Sequence, residues 1–204
     1  MIDELGKMDV EGVKRFHGHW CPGLAMGIRV SEIALREIGP HAGDEEVVAI
    51  VETDNCAVDA IQYFTGCTFG KGNLIHLDYG KSAFTFVRRS DGKAIRIVAR
   101  PGGSGPSDPE REALYRRVWD GQATEEDRQR VRRLRQEQIQ AFLDRPVAEL
   151  FDVQTVAPDI PERARIYESV ICTGCGERVM ETRIRLLRGR PYCIPCFEAR
   201  DRRL

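Results

Sequence analysis

Near its amino terminus the chain reads Phe16-His17-Gly18-His19-Trp20-Cys21-Pro22-Gly23, a stretch with two of the four histidines and one of the seven cysteines. Its glycines and proline disfavour a helix, so we predict extended backbone that runs into a turn. Side chains alternate along extended backbone, so His17, His19 and Cys21 would project to the same side. Two imidazoles and a thiol form a ligand set that suits zinc or a similar transition metal.

The segment after this stretch has the spacing of a helix. Apolar residues recur from Leu24 to Ile38 with small residues between them, and Gly39-Pro40 ends the pattern. Cys21 would therefore lie just before a helix amino terminus, where the partial positive charge favours thiolate over thiol. This position suits either a metal ligand or a nucleophile.

A second cysteine has the same predicted setting. The apolar run 47–51 is rich in β-branched residues and predicts a buried strand. Thr53, Asp54 or Asn55 can cap the helix that follows, with Cys56 in its first turn. Two such helix termini that face each other would close one site around four residues, namely His17, His19, Cys21 and Cys56.

A glycine-rich segment, 66–73, follows the second helix. It fails the P-loop pattern, because only three residues separate Gly66 from Gly70-Lys71 and Gly72 stands where Ser or Thr is required. Nucleotide binding is therefore disfavoured. The segment is either a plain loop or one in which Cys67 approaches the same metal.

The rest of the first half predicts strands. Three strand-like runs cover residues 74–78, 83–89 and 94–99, and the turn residues between them indicate an antiparallel meander. Helices followed by hairpins are typical of the α+β class. We therefore predict a core domain over residues 1–100, with an antiparallel sheet and amino-terminal helices.

A linker and helical connection is predicted over residues 101–164. It opens with the Pro/Gly/Ser-rich loop 101–109, which marks a domain boundary. A helix from Thr124 to Leu143 follows, with first-turn acids and a thin apolar stripe. A helix this polar is expected to lean on another helix, from this chain or from a second protomer.

The carboxy-terminal residues 165–204 have the pattern of a zinc ribbon. Cys172-Thr173-Gly174-Cys175 and Cys193-Ile194-Pro195-Cys196 are two C-x2-C turns separated by seventeen residues. Two such turns give four thiolates in a tetrahedral array around one zinc ion. Four protein ligands leave no open position, so this zinc would be structural.

Charge is distributed unevenly along the chain. From residue 165 onward there are nine arginines against five acids, although the whole chain carries a formal charge of -1. A basic ribbon can bind nucleic acid or an acidic protein surface. Arginines are also the ordinary polar face of a small ribbon, and this simpler interpretation is preferred at this point.

Composition places the chain among globular proteins. Hydrophobic residues make up 42% and charged residues 31% of its 204 residues. The polar start does not resemble a signal peptide, and no apolar run is long enough to span a bilayer, so we expect a cytoplasmic protein without membrane contact. Seven cysteines, an odd number, in a reducing compartment are poor evidence for disulfides.

Four motifs resemble the FmdE family of formylmethanofuran dehydrogenase proteins. They lie within residues 10–100, and the combination is specific. The motifs are His17-x-His19-x-Cys21-Pro22-Gly23, Asp54-Asn55-Cys56-Ala57-Val58-Asp59-Ala60, Thr65-Gly66-Cys67-Thr68-x-Gly70-x-Gly72-Asn73 and Asp78-Tyr79-Gly80-Lys81. The resemblance implies an α+β core and, in two-domain members with a zinc finger, a tightly intertwined homodimer. The family is named after an accessory component of a molybdenum- or tungsten-dependent redox complex, and many members occur outside that pathway.

Three classes of function remain open on the sequence. The first is a metal-binding accessory subunit or small metalloenzyme, with zinc in the ribbon and a second transition metal in the core. The second is a metal-sensing regulator whose basic ribbon binds nucleic acid or a partner protein. The third is a structural adaptor that contacts redox-complex subunits.

Catalysis, if present, would depend on the core site. With three protein ligands the fourth position is open to water or substrate. Cys21 and Cys56 are then candidate reactive groups, Asp54 and Asp59 could orient a histidine or move a proton, and Lys81 could meet a substrate anion. The simpler alternative is that both cysteines are buried small residues and the histidines hydrogen-bond locally.

Overall fold

The computed structural model describes residues 8–102, 109–157 and 160–201. Most of the predicted boundary loop, residues 103–108, lies outside the described residues, as does Pro158. The chain divides into two compact units, Met1–Arg163 and Ala164–Leu204. Among the described residues, no helix has the length and apolar character that crossing a membrane requires.

Unit 1 combines helices with one mixed sheet, which confirms the predicted α+β class. Its helices are α1 (Val10–His17), α2 (Pro22–Glu37), α3 (Ala57–Thr65), α4 (Pro109–Trp119), α5 (Glu125–Asp144) and α6 (Val147–Leu150). Its strands are β1 (Val47–Val51), β2 (Leu74–His76), β3 (Ala83–Arg88), β4 (Ala94–Ala99) and β5 (Phe151–Thr155).

The sheet has the order β2-β1-β3-β4-β5, and its first pair differs from the prediction. β2 runs parallel to β1, with Val51 opposite His76, while β1, β3, β4 and β5 pair antiparallel. The predicted meander from β2 to β3 is therefore wrong, because β1 lies between them. A β1–α3–β2 crossover replaces that hairpin, and the buried Asn73 fixes its return by donating to the Val47 carbonyl at 2.9 Å.

Helices α2 and α3 approach each other unusually closely. A Cβ at Gly27 would lie 2.2 Å from the Ala57 carbonyl oxygen, so no side chain fits there. One turn on, the buried Ser31 hydroxyl donates to the Gly27 carbonyl of its own helix at 2.8 Å and to the Ala60 carbonyl of α3 at 3.3 Å. The small residues of α2 therefore form its contact with α3.

Half of the first motif is helical, which corrects the prediction of extended backbone at His17, although Cys21 is extended as predicted. Phe16 and His17 are the last residues of α1, and Gly18 ends that helix with a left-handed φ of 87°. The side chain of Asp9 caps α1 by accepting from the Gly12 N–H, and Val13 is fully buried. Gly18 thus acts as a helix C-cap, where glycine is favoured, rather than preventing the helix.

Part of the predicted linker belongs to the core. Thr124 and Asp127 form the expected capping box of α5, and Ile139 and Leu143 of this helix pack against Ala25 of α2. β5 completes the sheet beside β4. The compact unit therefore continues to Arg163 rather than ending near residue 100.

Unit 2 consists of two hairpins and a short helix. Its elements are β6 (Ser169–Ile171), β7 (Arg178–Met180), a 3-10 turn (Glu181–Arg183), β8 (Ile184–Leu187), β9 (Arg190–Cys193) and α7 (Ile194–Glu198). Arg188 and Gly189 both have positive φ, as the tight turn between β8 and β9 requires. The predicted reversal at these residues is confirmed.

The close packing of α2 and α3 gives a first prediction. We expect Gly27→Ala to lower the free energy of unfolding by about 1–3 kcal/mol, because the added methyl group overlaps the buried Ala57 carbonyl. Urea denaturation followed by circular dichroism measures the change. Gly70→Ala is the matched control, since nothing lies within 4 Å of a Cβ at that position. An unchanged urea midpoint for Gly27→Ala would show that α2 and α3 can move apart without loss of stability.

Candidate metal centres

The core brings together the four side chains that the first two motifs predict. One metal-binding atom from each of His17, His19, Cys21 and Cys56 lies within 4.8 Å of the other three. Two imidazoles and two thiols are a common donor set for tetrahedral zinc. The residues present therefore fit a borderline-soft transition metal.

Two helix amino termini position the thiols. Cys21 is the extended N-cap residue of α2, and its sulfur accepts from the Leu24 N–H at 3.3 Å. Cys56 is the N-cap residue of α3. A Cβ at Gly23 would lie only 3.0 Å from the Cys56 Cβ, so this glycine lets the two termini meet.

His17 is held in an orientation that suits a metal ligand. Its Nδ1 lies 2.7 Å from Oδ2 of Asp59 on α3, and its Nε2 lies 3.7 Å from the Cys21 sulfur. A carboxylate on one ring nitrogen fixes the ring and leaves the other nitrogen for the metal. The His19 ring packs beside it, with 4.3 Å between ring centroids, but is exposed.

The electrostatic setting of Cys56 favours the thiol in the absence of metal. Burial, and next its hydrogen bond with Cys21, raise the pKa of Cys56 above the ordinary value. A metal ion must displace this proton, because the thiolate is the ligand form. Metal binding at this cluster is therefore coupled to proton release.

Three other predicted residues lie outside the cluster. Cys67 is fully buried, its thiol donates to the Val47 carbonyl at 3.5 Å, and burial raises its pKa. The expectation that Cys67 approaches the metal is thus wrong. Lys81 is exposed and lies over the Tyr79 ring. Asp54 is exposed beside the cluster without contacting a histidine, so of the two acids only Asp59 orients one.

A cavity of about 260 Å³ adjoins the cluster, and we call it the chamber. His17, Cys56 and Asp59 line it, together with His76 from the carboxyl end of β2. Sequence reasoning missed His76. The signal that could have found it is the β1–α3–β2 order, because parallel strands end at the same edge of a sheet and ligands bind there.

The four ribbon cysteines form the second cluster. Their sulfurs lie within 4.8 Å of one another, and the distance between the sulfurs of Cys175 and Cys193 is 3.9 Å. The Cys193 N–H donates to the Cys172 sulfur at 3.2 Å and is the main reason that the pKa of Cys172 falls to about 6. Backbone donors therefore prepare this thiolate for zinc.

Two family models match the chain. The first, described as FmdE, Molybdenum formylmethanofuran dehydrogenase operon, covers residues 16–152. The second, described as Prokaryotic dksA/traR C4-type zinc finger, covers residues 165–202. The first spans most of the chain and includes the whole core cluster.

A curated relative and a solved structure are similar to the chain. A "Probable S-adenosyl-L-methionine-binding protein" of Archaeoglobus fulgidus is 37% identical over an alignment of 179 residues, which covers 84% of this chain and 49% of that protein. The chain thus spans about half the length of this relative. The crystal structure of a tungsten formylmethanofuran dehydrogenase FmdE-like protein from Syntrophus aciditrophicus matches with a TM-score of 0.62 and 24% identity. This match covers 94% of this chain and 91% of that one, and it shows a shared fold.

The contact between Asp59 and His17 gives a second prediction. We expect Asp59→Asn to weaken metal binding at the core cluster about 10–100-fold, because the carboxylate that orients His17 is lost. Competition with a chromophoric chelator measures the affinity. Asp54→Asn removes an equal charge nearby without touching a histidine and serves as control. If both variants lose metal affinity equally, the effect comes from the lost negative charge and not from the orientation of His17.

Proposed function

The chain belongs to the FmdE family, and from this premise we propose that its core holds a transition metal at His17, His19, Cys21 and Cys56. The observation that supports this most strongly is the arrangement of His17. One ring nitrogen meets the Asp59 carboxylate, and the other faces the thiol of Cys21. A histidine that only filled space would not need both nitrogens directed in this way. Zinc is the metal that two thiolates and two imidazoles favour.

The ribbon has a different role in this proposal. Its four thiolates would hold a closed, structural zinc that supplies folding free energy to a unit with a small core. In the core site, by contrast, His19 is exposed, and we infer that it is the ligand that can leave. A site with three remaining ligands offers its fourth position to water or to a ligand from the chamber.

Within this class we infer an accessory subunit or a small metalloprotein related to the formylmethanofuran dehydrogenase complex. The family match supports this role. The intertwined homodimer and the contact with redox-complex subunits stay predictions. We do not assign S-adenosyl-L-methionine binding to this chain, because the alignment covers only 49% of the Archaeoglobus relative.

Metal content tests the core site. We expect two metal ions per wild-type chain and one in the Cys21→Ser/Cys56→Ser variant, because only the core cluster loses its thiols. Elemental analysis of the purified full chain measures the ratio. Cys67→Ser, which changes a buried cysteine outside both clusters, should keep two. If the double variant still holds two ions, the core cluster does not bind metal through these thiols and the proposed core site is wrong.

One observation favours a second candidate, a metal-responsive regulator whose ribbon binds nucleic acid. Six described arginines of the ribbon are exposed, and none has a carboxylate partner among the described residues. They are Arg178, Arg183, Arg185, Arg188, Arg190 and Arg200. Unneutralised arginines on one small unit supply the phosphate contacts that non-specific binding needs.

Salt dependence tests this candidate. Neutralising two arginines that bind phosphate should lower the slope of log affinity against log salt by about 2. Arg185→Gln/Arg188→Gln is the ribbon variant, and Arg116→Gln/Arg133→Gln makes the same charge change on α4 and α5. Fluorescence anisotropy with labelled duplex DNA gives the slopes. Absence of binding by the wild type at low salt would eliminate the nucleic-acid role.

A further inference from the structure

The chamber has a defined place in the fold. It lies where parallel β1 and β2 end and α3 begins, since Val51, His76 and Cys56 all line it. This is the edge of a parallel pair at which α/β proteins bind ligands. His76 does not belong to the four-residue cluster, so the chamber extends beyond the metal-binding atoms themselves.

The lining of the chamber combines hydrocarbon, two carboxylates, two imidazoles, a thiol and the polar side chains of Thr53 and Asn55. Val51, Val58 and Leu74 supply hydrocarbon, and Asp54 and Asp59 supply carboxylates. Oδ2 of Asp59 is engaged with His17, whereas the exposed Asp54 carboxylate has no histidine contact. No lysine or arginine is among the described residues that line the chamber.

The carboxylates of the lining favour a positively charged ligand. An anionic ligand would meet the Asp54 carboxylate, and no lysine or arginine among the described lining residues offsets that charge. A cationic group would meet the carboxylate of Asp54 and the imidazole ring of His76. The expectation that Lys81 meets a substrate anion therefore finds no support in the chamber.

The size of the chamber restricts the ligand further. Its volume of about 260 Å³ lies below the range of about 300–1,000 Å³ that is typical of pockets for drug-sized ligands. A short aliphatic chain fits this space. The hydrocarbon of Val51, Val58 and Leu74 would cover the middle of such a chain.

We propose that the chamber binds a short aliphatic cation whose metal-binding donor atom reaches the core site while its ammonium group meets Asp54 and His76. The proposal rests on the proposed core metal site and adds the chemical class of its ligand. Asp54 sets the charge preference. Val51, Val58 and Leu74 exclude water from the linking hydrocarbon.

Three small thiols with one donor atom and different charges test the proposal. They are 2-aminoethanethiol, 2-mercaptoethanol and mercaptoacetate, each titrated into the full chain loaded with Co²⁺. Visible absorption of the Co²⁺–thiolate centre reports binding at the metal. After each affinity is corrected for the thiolate fraction of that thiol at the working pH, we expect the aminothiol to bind about fivefold more tightly than the neutral thiol, because one ion pair is gained, and mercaptoacetate to bind most weakly.

Charge reversal at an exposed position provides the decisive variant. Asp54→Lys should invert the order of the aminothiol and mercaptoacetate, whereas Asp120→Lys, an equal change on the α4–α5 connection, should preserve it. Both side chains are exposed, so both variants should fold. Equal or tighter binding of mercaptoacetate by the wild type would overturn the proposal, as would equal behaviour of the two variants.

The Co²⁺ content distinguishes a failure of the ligand class from a failure of the core metal site. If Cys21→Ser/Cys56→Ser holds as much Co²⁺ as the wild type, the core metal site is absent and the proposed function fails first. If the wild type holds the additional ion but the three thiols bind without the expected order, the metal site stands and only the ligand class is wrong.

Discussion

The close approach of α2 and α3 is the constraint on which the core site depends. Gly27 admits the Ala57 carbonyl and Gly23 admits the Cys56 side chain, so the helices meet along their backbones. Each of these helices begins at a cysteine. Because the contact continues to both amino termini, it places two thiols from distant parts of the sequence at one point. Larger residues in α2 would separate them.

The second element of the site is the strand-to-helix connection after β1. The β1–α3–β2 crossover brings Cys56 and Asp59 to the carboxyl edge of the sheet, and β2 returns His76 to the same edge. The position of Cys56 in the core cluster and the position of the chamber therefore both follow from the β1–α3–β2 unit. The antiparallel strands β3, β4 and β5 extend the sheet on the far side of β1 and supply most of the buried aromatic surface, including Phe84 and Phe86.

The two clusters are assembled in different ways. The ribbon takes its four cysteines from the turn at 172–175 and from the junction of β9 with α7, so its geometry is local, and four thiolates would close the coordination of one ion. The core takes its donors from α1, the α1–α2 connection and the starts of α2 and α3, so its geometry depends on the packing of unit 1. A site assembled by packing can border a cavity, and this one does.

The sequence by itself determined the features that short-range chemistry controls. The four-cysteine cluster, the capping box at Thr124 and the turn at Arg188-Gly189 follow from residue types at fixed spacing, and the structure has all three. The grouping of His17, His19, Cys21 and Cys56 was also predicted. The two helix starts at Cys21 and Cys56 are confirmed, whereas extended backbone is wrong at His17, where α1 continues.

Only the tertiary structure decided the remaining features. The parallel partner of β1, the exclusion of Cys67 from the cluster, the pairing of Asp59 with His17 and the place of His76 in the chamber depend on which elements become neighbours. Alternation and capping patterns describe one segment at a time, and they leave open the partner that a strand or helix will select. That selection follows from burying both edges of β1 and from the fit of small residues between α2 and α3.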